Sequence, residues 1–202
     1  MEINGYVIAA GANLAGAELP GADLIDARLA YADLTDADLT EADLSGASLH
    51  SANLTGAKLS MANLNKADLD SVNLVRTDLT KAILTSSKLV YANLKGADLT
   101  GADLTGADLT SADLDSADLS EADLTGAKLS MATLREAHLS KANLKGASLR
   151  FASMKGASLE GANLRGADLT GADLTRADLT GADLEGAKLH KTTMPDGSIS
   201  KP

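Results

Sequence analysis

The chain contains no cysteine and no tryptophan, and its aromatic residues are one phenylalanine and three tyrosines. Without cysteine there is no disulfide, no thiolate metal site and no cysteine nucleophile. Without aromatic bulk, a core of varied large side chains cannot be assembled. Proline is limited to Pro20, Pro195 and Pro202. No apolar run approaches the ~20 residues of a membrane span. The first basic residue is Arg28, so the short apolar stretch YVIAAGA (Tyr6 to Ala12) lacks the basic flank of a signal peptide. These absences predict a soluble, cytoplasmic chain without a membrane span. The formal charge of −10 argues against direct nucleic-acid binding.

What is present is repetition. Apolar residues make up 45% of the chain, mostly Ala and Leu, which is too many for disorder. From Leu14 to Leu189 every fifth residue is Leu, with Met154 the one exception. Two positions earlier stands Ala in 33 of the 36 units; Val72, Thr77 and Ser87 are the exceptions. Period five matches neither the 3.6 of a helix nor the 2.0 of a strand. On a helix these Leu would smear around the cylinder, and on a flat strand they would alternate faces. A chain that turns a corner every fifth residue buries all of them. Four such sides close a square coil, and successive coils stack as parallel β-bridges. At ~4.8 Å per coil, about nine coils make a rod roughly 43 Å long.

The corners have their own signature. Of 18 Gly, 16 fall in one phase of the five-residue cycle, from Gly11 to Gly186. A tight turn with φ > 0 at one position predicts such a lock. Thr and Ser dominate the position after Leu, and Asp or Asn precedes Leu in 23 of 36 units, as suits turns and solvated outward positions. This tandem A-D/N-L-x-x pattern resembles the pentapeptide-repeat proteins over residues 12 to 189. The resemblance implies an all-β fold, a right-handed quadrilateral β-helix. The tail TTMPDGS (Thr192 to Ser198) is similar to tails of cyanobacterial members. The expected organisation is an N-terminal cap and degenerate first side over residues 1–11, the β-helix over 12–189, and a C-terminal cap and tail over 190–202. Val7 and Ala9 fall in the Ala and Leu phases, so residues 6–10 read as the degenerate side. Pro195-Asp196-Gly197 reads as a turn that lets Ile199 fold back over the last coil.

Catalytic chemistry finds no constellation. His50 and His190 share a column but lie seven coils apart, roughly 34 Å, and His138 is on another face. No metal site, cofactor site or Ser–His–Asp arrangement follows. Asp78, Asp98 and Asp118 should stack one coil apart, as should Asp103 and Asp123. Stacked carboxylates can hold a cation, but a repeating fold repeats its turn residues, and that reading is preferred.

The informative positions are the departures from the repeat. Tyr31, Tyr91 and Phe151 follow one another at intervals of three whole coils, so they share one corner column, together with Met131. Ser51, Ser71 and Ser111 fill the gaps and Gly171 follows. An exposed line of Tyr, Met and Phe suits protein binding; alternatively each side chain merely covers its own corner. Charge is also organised along the axis. Residues 98–123 carry eight acids and no base, and residues 128–165 carry seven bases against Glu136 and Glu160. Such a belt can steer an acidic partner or order head-to-tail contacts; local charge balancing of the rod is the preferred reading. The expected function is a non-enzymatic interaction scaffold for an unidentified protein partner. Its surface is Tyr31, Tyr91, Met131 and Phe151, flanked by Arg135, Arg150 and Lys155. Self-association through the coil ends or the aromatic corner belongs to the same reading. The resemblance implies an alternative, a DNA-mimic modulator of DNA gyrase, since some family members are acidic, DNA-like rods. Those members commonly carry a central Phe, loops that interrupt the repeat and a dimer-forming C-terminal segment, and here Leu is central, no loop intervenes and no such segment follows Leu189.

Overall fold

The computed structural model describes residues 2–200. Its architecture is the stack that the period demands. From Asn13↔Asp33 to Asp173↔Thr193, every parallel bridge joins residue i to residue i+20, so four sides of five make each coil and the register never slips. About nine coils follow one another. Each side contributes a single bridge residue, flanked by an inward Ala on one side and an inward Leu on the other. The hydrogen bonds between coils run both ways at every side. Leu14 N–H donates to the Asp33 carbonyl (2.7 Å), and Asp33 N–H donates back to the Ala12 carbonyl (2.9 Å); the pair of bonds repeats down the rod.

The interior is a column of Leu layered with Ala. Every Leu from Leu14 to Leu174 is buried, and Met154 occupies a Leu place with no exposure. Met has about the right volume and an adaptable side chain. The three exceptions at the Ala position also point inward. Val72 adds bulk, while Thr77 and Ser87 bring hydroxyls into an apolar column. Each hydroxyl donates to a main-chain carbonyl: Thr77 Oγ1 to Leu54 (2.8 Å) and Ser87 Oγ to Leu84 (2.7 Å). A buried polar group without a partner would cost free energy, and here each has one.

Corners are β-turns closed by Ala N–H to the preceding Leu carbonyl, as in Ala17 to Leu14 (3.0 Å). The third residue of each turn lies in the left-handed region. Gly fills only part of this column. Side chains as large as Arg76, Tyr91 and Phe151 sit there with φ between 54° and 59°. The phase lock of Gly therefore marks the corner correctly, but the corner does not require Gly.

The two ends differ. At the start, strands β1 (Glu2–Ile3) and β2 (Tyr6–Val7) form an antiparallel hairpin across Asn4-Gly5, both with positive φ. Ile3, Tyr6 and Ile8 pack on the first coil, and the Tyr6 hydroxyl accepts the Glu18 N–H (3.4 Å). The expected inward phase at Val7 is not what is seen: Val7 is exposed and Ile8 is buried. The hairpin reverses the chain before the first corner, so its facing is set by the hairpin rather than by the coil. At the far end the chain does turn back after Pro195, with Thr193 bridging Ile199 in antiparallel fashion. Ile199 itself points outward. It leaves Leu179, Leu184 and Leu189 only partly covered.

Leu104 lies fully buried in mid-stack. A charge there has no partner and costs several kcal/mol, and the damage spreads because each coil is held by its neighbours. Leu104→Asp is expected to lower the melting temperature strongly, whereas Met154→Leu should leave it nearly unchanged; thermal denaturation followed by circular dichroism checks both.

Candidate interaction surface

The four large side chains singled out in the sequence all stand at corners and all point away from the core. Tyr31 is 66% exposed, Tyr91 69%, Met131 56% and Phe151 59%. Each lies in the left-handed region, with φ of 59°, 59°, 60° and 57°. For an L-residue this conformation costs about 1–2 kcal/mol. Their environments are unequal. The Tyr31 ring meets His50 edge-on, with centroids 5.0 Å apart. The Arg150 guanidinium lies over Phe151, 5.6 Å from its centroid. The Phe151 ring also leans across the next coil: a Cβ on Gly171 would come within 2.5 Å of its Cδ1. Part of this column therefore covers its own corner, as an ordinary packing role would have it, while much of each side chain remains open to solvent.

The basic belt is stitched to acids of neighbouring coils. Arg135 donates to Asp115 through its backbone N–H (3.0 Å), Nε (2.9 Å) and Nη2. Arg150 pairs with Asp168 (3.2 Å), Lys155 with Asp173 (3.2 Å) and Lys128 with Asp108 (3.1 Å). Arg165 holds both Asp183 and Glu185, and Lys141 approaches Glu121 (3.8 Å). Local charge balance is thus a large part of what the belt does. Lys145 forms no ion pair among the described residues. The three bases of the candidate surface keep exposed tips above recessed carboxylates, with the Asp115 side chain only 9% exposed beneath an Arg135 side chain that is 56% exposed.

The outward Asp residues accept hydrogen bonds from their own corners. Asp78, Asp98 and Asp118 stack as expected, and each takes the N–H of the residue two further on, at 2.9–3.0 Å. Asp103 and Asp123 do the same. These carboxylates finish turns, and no cluster of three or more His, Cys, Asp or Glu able to hold a metal occurs among the described residues. Thr35 hydroxyl and N–H hold the Asp33 carboxyl below its ordinary range; Thr40 does so for Asp38, and the Ser45 N–H and hydroxyl for Asp43. At Asp115 and Asp168 burial pushes upward, but the hydrogen bonds of Arg135, and of Thr170 with Arg150, outweigh it and the net direction is down.

One grouping escaped the sequence reading. Ser48, His50 and Asp68 meet on one flank: Ser48 Oγ is 3.1 Å and an Asp68 carboxylate oxygen 3.9 Å from the imidazole. Both approach the same atom, Nδ1. A catalytic triad needs the nucleophile and the acid on opposite ring nitrogens, so this grouping has no relay geometry. The serine lies two positions before the histidine and the aspartate just short of one coil after it, a spacing that becomes a contact only once the coil closes. Two open depressions lie on the corner that carries Arg135 and Lys155. One, of about 370 Å³, is lined by Glu136, Lys155, Gly156, Thr175 and Arg176. The other, of about 240 Å³, is lined by Lys95, Asp115, Ser116, Arg135 and Glu136.

A parallel-bridged stack of four-sided coils with Leu and Ala inside defines a quadrilateral β-helix. The profile of pentapeptide repeats matches residues 10–46, 47–85, 92–130, 117–156, 127–166 and 157–194. The chain belongs to the pentapeptide-repeat family, and its fold is the right-handed quadrilateral β-helix of that family. It is similar to the crystal structure of HetL, a pentapeptide repeat protein involved in heterocyst differentiation regulation from the cyanobacterium Nostoc sp. strain PCC 7120. The identity is 41% and the TM-score 0.69, over 93% of this chain and 87% of that one. A trypsin-treated form of QnrB1, a plasmid-mediated fluoroquinolone resistance protein, aligns at 23% identity and a TM-score of 0.62, over 89% of each chain. At that identity the likeness speaks for the fold alone. No curated protein matches the chain. Among the described residues no helix is long and apolar enough to cross a membrane.

The lowered carboxylates carry a sign. Their contribution to stability is fully present above the unfolded Asp value of ~3.9 and is lost as pH falls through the lower folded values. The melting temperature is expected to hold from pH 7 to about 5 and to decline modestly below about 4, since most of these carboxylates are solvent-screened, as a thermal scan at graded pH will test.

Proposed function

We propose that this protein is a non-enzymatic interaction scaffold, acting in the cytoplasm, whose rigid rod presents Tyr31, Tyr91, Met131 and Phe151 with Arg135, Arg150 and Lys155 to a protein partner. The observation that carries the reading is the alignment of four large, exposed side chains in one corner column. A left-handed corner is met most cheaply by Gly, and Ser occupies the same column at Ser51, Ser71 and Ser111. Large apolar side chains stand there outward, at a conformational cost, on a line along the rod. Tyr and Phe anchors concentrate interface energy, and a rod whose backbone is locked coil to coil loses little freedom on binding. Self-association belongs to the same reading. Of the two coil ends, the C-terminal one, with Leu179, Leu184 and Leu189 partly uncovered, is the one open to it.

The alternative reading, a DNA-mimic modulator of DNA gyrase, draws on the charge of −10. The exposed cations of residues 128–165 interrupt that negative surface, and the scaffold reading accounts for them. Supercoiling by purified gyrase is expected to proceed unchanged in the presence of the protein.

Tyr91→Ser combined with Phe151→Ser copies residues already present in the column, so the coil should accept both. The expected loss of stability is within about 1 kcal/mol per site, with the melting temperature nearly retained. Capture of partners from native lysate should fall sharply. A double variant that folds normally and recovers the same partners at the same affinity would sink the reading.

A further inference from the structure

The aromatic corner and the cationic corner bound the same side of the coil. Residues 131 to 135 run from Met131 through Thr133 to Arg135, and one coil on, Phe151 runs through Ser153 to Lys155. Thr133 and Ser153 are bridge partners on adjacent coils. Two coils before Met131 the same side reads Tyr91, Asn93, Lys95. The outward residues in the middle of this side are short and half-buried, Asp113 and Asp173 among them; the corners on either hand are long and exposed on the coils of Tyr91, Met131 and Phe151, whereas the coil between carries Ser111 and a buried Asp115 and the last carries Gly171 and Thr175. The side is therefore a shallow channel along the rod. On the coils of Tyr91, Met131 and Phe151 one wall is apolar and the other ends in a cation.

Its dimensions select an occupant. Three extended residues make the floor about 10 Å wide, close to the 10–12 Å diameter of an α-helix with side chains. From the coil of Tyr91 to that of Gly171 is four steps of ~4.8 Å, roughly 19 Å, which is about 13 helical residues at 1.5 Å each. The helical pitch of ~5.4 Å nearly follows the coil spacing, so one residue per turn meets one coil. An extended strand places same-side residues ~6.6 Å apart and loses register. Nor can a strand add to this side by backbone pairing, because its amides and carbonyls are already spent on the coils above and below.

Charge selects the kind of helix. Asp115, one coil back in the same column, pairs with Arg135, and Asp173, on the floor of the next coil, pairs with Lys155; both cationic side chains remain more than half exposed. Lys95 is exposed and forms no ion pair among the described residues. The two depressions along this wall give room for carboxylate side chains between the cations. Glu136 lines both and limits how many the wall accepts.

We infer that this channel binds an acidic amphipathic α-helix of about 13 residues from a partner protein, its apolar edge on Tyr91, Met131 and Phe151 and its carboxylates on Lys95, Arg135 and Lys155. The inference rests on the scaffold reading and gives its partner a chemistry.

The test is selection from a displayed library of random 16-residue peptides against the full chain, followed by titration of the synthesised binders. The expected binders become helical on binding, as circular dichroism reads, and carry Leu, Ile, Met or Phe on one edge and Asp or Glu on the other at i, i+3 and i+4. Met131→Ser with Phe151→Ser should weaken them at least tenfold, and Lys95→Glu at least fivefold. Lys145→Glu, the same charge change on a different corner, should leave them unaltered. Binders that are extended, proline-rich or free of acid would overturn the inference. So would an empty selection, or equal effects of Lys95→Glu and Lys145→Glu. If selection yields no such helix while lysate capture still depends on Tyr91 and Phe151, the helix is wrong and the scaffold reading stands.

Discussion

Everything in this molecule hangs on the backbone ladder between residue i and residue i+20. One side of one coil cannot bury its Leu, since a single turn of chain has no interior. The Leu N–H and Ala carbonyl of each side find partners only in the adjoining coils. Burial and hydrogen bonding are thus satisfied by the same act of stacking, and neither is available to a coil alone. The strictness of the five-residue period follows. One inserted residue would turn every later Leu away from the column, and the uninterrupted register from Asn13 to Thr193 shows none.

The ladder also decides what the surface can do. With the backbone committed along the axis, the four sides offer only side chains to a partner. Most sides carry Asp or Asn that closes its own corner. Chemistry is scattered rather than gathered, and even the meeting of Ser48, His50 and Asp68 crowds one nitrogen of the imidazole. Distinctiveness comes instead from columns, where residues far apart in the chain line up. The aromatic corner is one such column and the cationic corner is its neighbour across a side.

The Leu and Ala phases made the interior legible in the sequence, since the length of a coil follows from a side of five and a square of four sides. The outward position of Tyr31, Tyr91, Met131 and Phe151 was legible for the same reason. What the pattern hid was anything outside the period. The hairpin at Asn4-Gly5 obeys hairpin rules, so phase counting misplaced Val7. Side-chain reach was hidden as well. Arg135 finds Asp115 one full coil back in its own column, but Arg150 finds Asp168 on the next coil, in the middle of the same side, and only the direction of the side chains tells the two apart. Local balancing is the preferred reading of the belt, and most of its cations are indeed paired with acids, but which acid each one finds could not be read from the pattern.

The unequal ends give the rod a polarity in time. A coil in mid-stack can open only by breaking two ladders, whereas the final coil has one, and Ile199 shields just the side of Thr193. The first coil is held by the hairpin and by Ile3, Tyr6 and Ile8. Local opening free energies are then lowest at the tail, so amide exchange and proteolytic nicking begin near Leu189. Fraying is thus biased toward one end of the rod rather than shared by both.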